Sequence, residues 1–90
     1  MIENLKKHKK FKLLMELKKN GISDSSVLNA IENTDRSYFI DHNLKEKSNL
    51  NIALPIDCGQ TISQPLVVAI MTQFLSLRKS MRVLEIGTGS

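Results

Sequence analysis

The residues best suited to chemistry lie in one short polar strip, Asp57-Cys58-Gly59-Gln60-Thr61-Ile62-Ser63-Gln64-Pro65. It supplies hydroxyls at Thr61 and Ser63, amides at Gln60 and Gln64, one carboxylate and one thiol. Apolar runs flank it: Ile52-Ala53-Leu54-Pro55-Ile56 before and Leu66-Val67-Val68-Ala69-Ile70-Met71 after. A polar loop between two buried elements must find partners for its donors and acceptors, and a ligand is one such partner. The start of the following helix is another, because Ser and Thr hydroxyls cap helices. A second candidate is Val83-Leu84-Glu85-Ile86-Gly87-Thr88-Gly89-Ser90, an apolar strand pattern that ends in an acidic residue and a Gly-x-Gly turn. Glycines at the carboxyl end of a strand let backbone approach a nucleotide-like ligand closely.

These two stretches need elements to hold them. Leu5, Phe11, Leu14, Met15 and Leu17 fall on one face at helical spacing, which predicts a helix from Ile2 to about Asn20, stopped by Gly21. A second helix should follow a cap at Ser23 or Asp24, carry Val27, Leu28 and Ile31 inward, and end near Asn33-Thr34. Tyr38, Phe39 and Ile40 should pack back on these helices. Residues 41–51 read as a polar loop with a short helical turn, and Leu50–Ile56 as a weak extended segment that Pro55 keeps off any central position. Pro65 suits the first turn of a third helix, with Gln64 or Ser63 at its cap. That helix should run to about Leu77 and bury Val67, Ile70, Met71, Phe74 and Leu75. Met81–Ile86 reads as a buried strand.

Composition narrows the class. The 90 residues amount to one small domain, and 41% hydrophobic residues suffice for a core of Leu, Ile, Val and Met. Seven of the 13 basic residues lie within the first twenty positions: Lys6, Lys7, Lys9, Lys10, Lys12, Lys18 and Lys19. The net charge of +4 therefore belongs to the first helix, whose lysines read as a solvated face. A phosphate-binding surface is the competing reading, though no Arg or aromatic is interleaved to read bases. No apolar run approaches the roughly 18 residues a membrane span needs. Cys58 is the sole cysteine, which excludes an internal disulfide and fits a reducing, cytoplasmic setting. It reads as a small packing residue. His8 and His42 have no partners at ligand spacing, so no metal is expected.

Two motifs carry a resemblance. Val83-Leu84-Glu85-Ile86-Gly87-Thr88-Gly89-Ser90 resembles the first motif of class I methyltransferases that use S-adenosylmethionine. Leu54-Pro55-Ile56 followed by Gly59-Gln60-Thr61-Ile62-Ser63-Gln64-Pro65 closely resembles the signature of protein-L-isoaspartate O-methyltransferases. Gly21-Ile22-Ser23-Asp24, Val27-Leu28, Arg36 and Phe39 match more loosely. The chain departs from the common pattern at Thr34-Asp35, where bacterial members carry Val-Pro, and at Asn49 and Asn51, where they carry Tyr and Asp. It departs again at Asp57, where a Gly usually stands.

The resemblance implies an α/β fold: a helical segment, residues 1–47, leading into residues 48–90, the active-site loop, helix and first strand of a truncated Rossmann-like class I methyltransferase domain. It implies methyl transfer from S-adenosylmethionine to the carboxylate of L-isoaspartyl residues in damaged proteins, with these 90 residues inactive by themselves. Ser63 matches the active-site serine, an orienting residue rather than a covalent nucleophile. Gln60, Thr61 and Ile62 match the strip bordering the donor, and Glu85, Gly87, Thr88, Gly89 and Ser90 the edge where S-adenosylmethionine lies. The implied partners are isoaspartyl proteins or peptides, not membranes or nucleic acid. The alternative is a small basic helical module that binds nucleic acid or a protein partner through the lysines of its first helix.

Overall fold

The computed structural model describes residues 2–90, with side chains from residue 3 onward. Helix α1 spans Ile2–Lys19, α2 Ser25–Glu32 and α3 Pro65–Phe74. Between α2 and α3 come 3-10 turns at Arg36–Phe39 and His42–Lys47, then strand β1 (Leu54–Pro55), a 3-10 turn at Asp57–Gly59 and strand β2 (Thr61–Ile62).

Helix α1 stops as its sequence predicts. Gly21 takes φ 98°, the Ile22 amide donates to the Leu17 carbonyl at 3.0 Å, and the Gly21 amide donates to Lys18 at 3.1 Å. That pair of bonds is the Schellman closure, and it brings Ile22 back against Leu17. Both are core residues, together with Leu13, Val27 and Ala69. Asp24, not Ser23, caps α2: its carboxylate accepts from the Ser26 amide at 2.9 Å and the Val27 amide at 3.4 Å.

The buried face of α1 differs from the expected one. Leu13 and Leu17 are buried and Leu14 half-buried, while Leu5, Phe11 and Met15 are exposed. Apolar residues lie on more than one side of α1, and the packing of α2 and α3 selects the line through positions 10, 13, 14 and 17. Lys10 leads that line. Its ammonium donates to the carbonyls of Ile31 at 3.0 Å and Thr34 at 2.8 Å, closing the end of α2. One lysine of the supposedly solvated face is therefore structural, and burial pulls its pKa below the ordinary lysine value.

Three further expectations are corrected. Tyr38 and Phe39 are exposed, Tyr38 at 80%, because the turn there closes on Ser37 instead. The Asp35 carboxylate accepts from the Ser37 amide at 3.0 Å and hydroxyl at 2.6 Å, and Ser37 is the residue buried. Helix α3 ends at Phe74 rather than Leu77, and Ser76 at φ 51° turns the chain away. Its buried residues are Pro65 and Ala69; Val67, Met71, Phe74 and Leu75 are exposed and Ile70 half-buried. Only one side of α3 meets the other helices.

Met81–Ile86 forms no strand. Leu84 is 84% exposed and Ile86 88%. A strand exists only with a neighbour to complete its hydrogen bonds, and among the described residues β1 and β2 are the paired strands. The architecture is thus a mixed one, three helices with a small two-stranded sheet. The accessible surface of 7377 Å² exceeds the roughly 5,300 Å² expected for a compact 10.2 kDa domain.

Candidate functional site

The polar strip is one arm of a hairpin. β1 and β2 pair antiparallel, with Leu54 opposite Ile62 and Pro55 opposite Thr61. Cys58 (φ 63°) and Gly59 (φ 67°) both take the left-handed conformation at the tip, as the central residues of type I′ turns do. The Gln60 amide donates to the Asp57 carbonyl at 3.3 Å, and the Ile56 amide to the Gln60 carbonyl at 2.9 Å. Sequence reading expected an extended segment and a loop but no pairing. Gly59 was the available signal, weakened by Cys58 in a position that favours Asn or Gly. Cys58 itself is exposed, not a packing residue, because the turn points it away from the core.

Beyond the hairpin, a single side chain gathers the surrounding backbone. The Arg36 guanidinium donates through Nη1 to the carbonyls of Ser48 at 3.1 Å and Leu50 at 3.3 Å. Through Nη2 it donates to the carbonyls of Ile52 and, at 3.0 Å, Ser63. Arg36 is half-buried, and that burial holds its pKa below the ordinary arginine value. The acceptors are neutral carbonyls, so its charge is solvated by backbone dipoles.

Asn51 performs the corresponding task for α3. Gln64 occupies the cap position as expected, but its side chain makes no capping bond. Asn51 Oδ1 instead accepts from the Leu66 amide at 2.9 Å, and the Asn51 carbonyl accepts from Gln64 Nε2 at 3.0 Å. Its Nδ2 donates to Glu16 Oε2 on α1 at 2.6 Å. An aspartate at 51 would set a second carboxylate against Glu16, so the asparagine suits this chain's own α1. At the other end of α3, Gln73 Oε1 accepts from the amides of Ser23 and Asp24, both at 2.9 Å, and its Nε2 donates to the Gly21 carbonyl at 3.1 Å.

Ser63 lies between these clamps. It is exposed, its carbonyl is fixed by Arg36, and the residues on either side belong to β2 and to the cap of α3. Gln60 and Thr61 are exposed and Ile62 half-buried on the same arm. The other predicted site residues stand apart. Glu85, Gly87, Thr88, Gly89 and Ser90 are exposed and belong to no helix or strand. Gly87 (φ 75°) and Gly89 (φ 80°) have no heavy atom within 4 Å of where a Cβ would sit, so that side of each is open. Among the described residues no backbone hydrogen bond joins residues 82–90 to the strip. These residues do not form a cradle for a nucleoside-sized donor.

Other chemistry is sparse. No group of three metal-ligating side chains occurs among the described residues, and none of their helices is long and apolar enough to cross a membrane. A cleft of about 500 Å³, lined in part by Leu14, Lys18, Leu28 and Glu32, lies on the α1–α2 face and includes no strip residue. Sequence reading missed Lys10, Asn51 and Gln73 as structural ties. Their partners lie 13 to 52 residues away, beyond any local pattern.

Comparison with known proteins bears on the same residues. The family described as Protein-L-isoaspartate(D-aspartate) O-methyltransferase (PCMT) matches residues 7–90. A protein-L-isoaspartate O-methyltransferase of Rhodospirillum rubrum is 54% identical over 82 residues, 91% of this chain and 37% of that protein. One from Caulobacter sp. is 55% identical over 78 residues, 87% of this chain and 36% of that protein. A Yersinia pestis relative is 55% identical over 78 residues, 87% of this chain and 38% of its own length. The chain thus spans somewhat over a third of the length of the curated relatives it matches. A match that takes in the hairpin, the Ser63 strip and the glycine turn together places the chain in the protein-L-isoaspartate(D-aspartate) O-methyltransferase family.

Proposed function

We propose that this chain supplies the substrate-orienting wall of a protein-L-isoaspartate O-methyltransferase, with Ser63 as the residue that contacts the substrate. The observation that carries the reading is an exposed serine on a clamped backbone: Ser63 is open to solvent while Arg36 holds its carbonyl, the β1–β2 pairing holds Ile62 and the Asn51 carbonyl holds the Gln64 side chain. In this role the Ser63 hydroxyl hydrogen-bonds the isoaspartyl carboxyl region and aligns one oxygen for attack. That carboxylate, with a reference pKa of about 4, is already ionised at neutral pH and needs no general base. Alignment alone can lower such a barrier by up to about 7–11 kcal/mol. Gln60, Thr61 and Ile62 border the reacting centre from the same arm.

S-adenosylmethionine, the donor the family reading implies, supplies an activated methyl group. Glu85, Gly87, Thr88, Gly89 and Ser90 are the proposed donor edge; the family reading makes their stretch the first strand and turn of a Rossmann-like sheet, a strand that would form only when paired with neighbours. Because they form no cradle in this structure, the 90 residues alone are inferred not to turn over. The substrates are isoaspartyl proteins or peptides, and the setting is cytoplasmic.

The test is a chimera in which this chain replaces the matched segment of the Rhodospirillum rubrum relative. The chimera should methylate an isoaspartyl peptide and leave the matching aspartyl peptide untouched, while the 90-residue chain shows no turnover. A stably folded chimera without isoaspartyl activity would overturn the assignment, and robust turnover by the 90-residue chain would overturn its inferred inactivity.

A further inference from the structure

The hairpin ladder ends one residue short of Ser63. Its last pair is Leu54 with Ile62, and α3 begins only at Pro65. Ser63 therefore lies outside every regular element, and no strand neighbour donates to its carbonyl. The donor is Arg36 Nη2, which also donates to the Ile52 carbonyl. The guanidinium joins the two chain runs just past the point where the strands stop pairing, so it extends the hairpin by a side chain. Its other nitrogen holds Ser48 and Leu50, and the base of the residue is fixed in the 3-10 turn that Asp35 caps.

We propose that Arg36 is a positioning residue for methyl transfer: the fork tying the Ser63 carbonyl to those of Ile52, Leu50 and Ser48 sets where the Ser63 hydroxyl stands. The inference rests on the reading of Ser63 given above. A planar guanidinium spans these acceptors because its donors point in fixed, diverging directions from two terminal nitrogens. A lysine keeps the charge but has three donors on one atom, so it cannot reproduce the four contacts that Arg36 spreads over two nitrogens. Arg36→Lys thus separates geometry from charge.

Two measurements decide the matter. In the full 90-residue chain, backbone ¹⁵N relaxation should show Ser63 and Gln64 losing order in Arg36→Lys, toward order parameters of about 0.6, while Leu17 and Val27 stay near 0.85. In the chimera, Arg36→Lys should lower kcat about 10- to 100-fold, with the KM for the methyl donor changed less than about twofold. Gln73→Ala serves as the control, since it loosens the far end of α3 where it meets residues 21–24 and touches neither Arg36 nor Ser63; at a comparable loss of Tm it should keep kcat. Unchanged order at Ser63, or a kcat loss that Gln73→Ala reproduces at equal Tm, would overturn the proposal. A chimera silent before any substitution counts against the functional reading instead, and the relaxation result then judges Arg36 alone.

Discussion

Residues 3–74 and residues 75–90 are built from similar material and behave differently. The last sixteen residues include Leu75, Leu77, Met81, Val83, Leu84 and Ile86, an apolar share close to the 41% of the whole chain. In the first region Leu17 and Ala69 are fully buried, and Lys10, Asn51 and Gln73 tie the helices together. In the second, every residue is exposed and none belongs to a helix or strand. Apolar content does not make an element; a partner does. A helix satisfies its backbone internally, so α1, α2 and α3 form wherever one face finds cover. A strand cannot, and Val83–Ile86 has no neighbour among the described residues.

Substitutions can break or sharpen this contrast. Leu17→Ala should have the largest effect, about 2–5 kcal/mol of lost stability in urea unfolding, since it empties a fully enclosed position. Next comes Gln73→Ala, which severs three hydrogen bonds between α3 and the α1–α2 connection; about 1–3 kcal/mol is expected in the same assay. A smaller effect appears in acid. Hydrogen bonding from Ser37, with Lys6 and Lys10 acting in the same direction, holds the Asp35 carboxyl below its ordinary 3.8. A carboxyl with a depressed folded pKa contributes stability that is complete above its unfolded pKa and is lost as pH falls through the folded one. Stability should therefore decline below about pH 4, and Asp35→Asn should flatten that part of the profile. Leu84→Lys should be the mildest, within about 0.5 kcal/mol, because the side chain touches almost nothing. A destabilisation there comparable to Leu17→Ala would erase the contrast.

The same contrast governs what could be read in advance. The stop of α1 and the start of α2 were legible because they are local: Gly21 sits next to the helix it ends, and Asp24 caps two amides close by. The ends of α3 were less so, since Asn51 rather than Gln64 caps it and it stops at Phe74, short of Leu77. The Ser63 strip was legible as a motif. Which face of α1 is buried was not, since Leu5, Phe11 and Met15 are as apolar as Leu13 and Leu17. Tyr38 and Phe39 were expected inside and lie outside, because a carboxylate–serine turn fixes that segment. Arg36 stood out as a loose match to the family pattern, but its contacts had no local signal, for its four acceptors lie 12 to 27 residues along the chain. The clamp on which the proposed role of Ser63 rests is thus the part only the structure shows.

The most direct measurement is the rate of methyl transfer to an isoaspartyl peptide by the chimera, with and without Ser63→Ala, at saturating donor. Because removal of one aligned hydrogen bond at a reacting centre typically costs about 10²–10³ in kcat, Ser63→Ala should lose at least about 100-fold while its Tm stays within a few degrees. A folded Ser63→Ala chimera with a rate within about twofold of the unsubstituted one would contradict the account, leaving the clamped strip as scaffold rather than site.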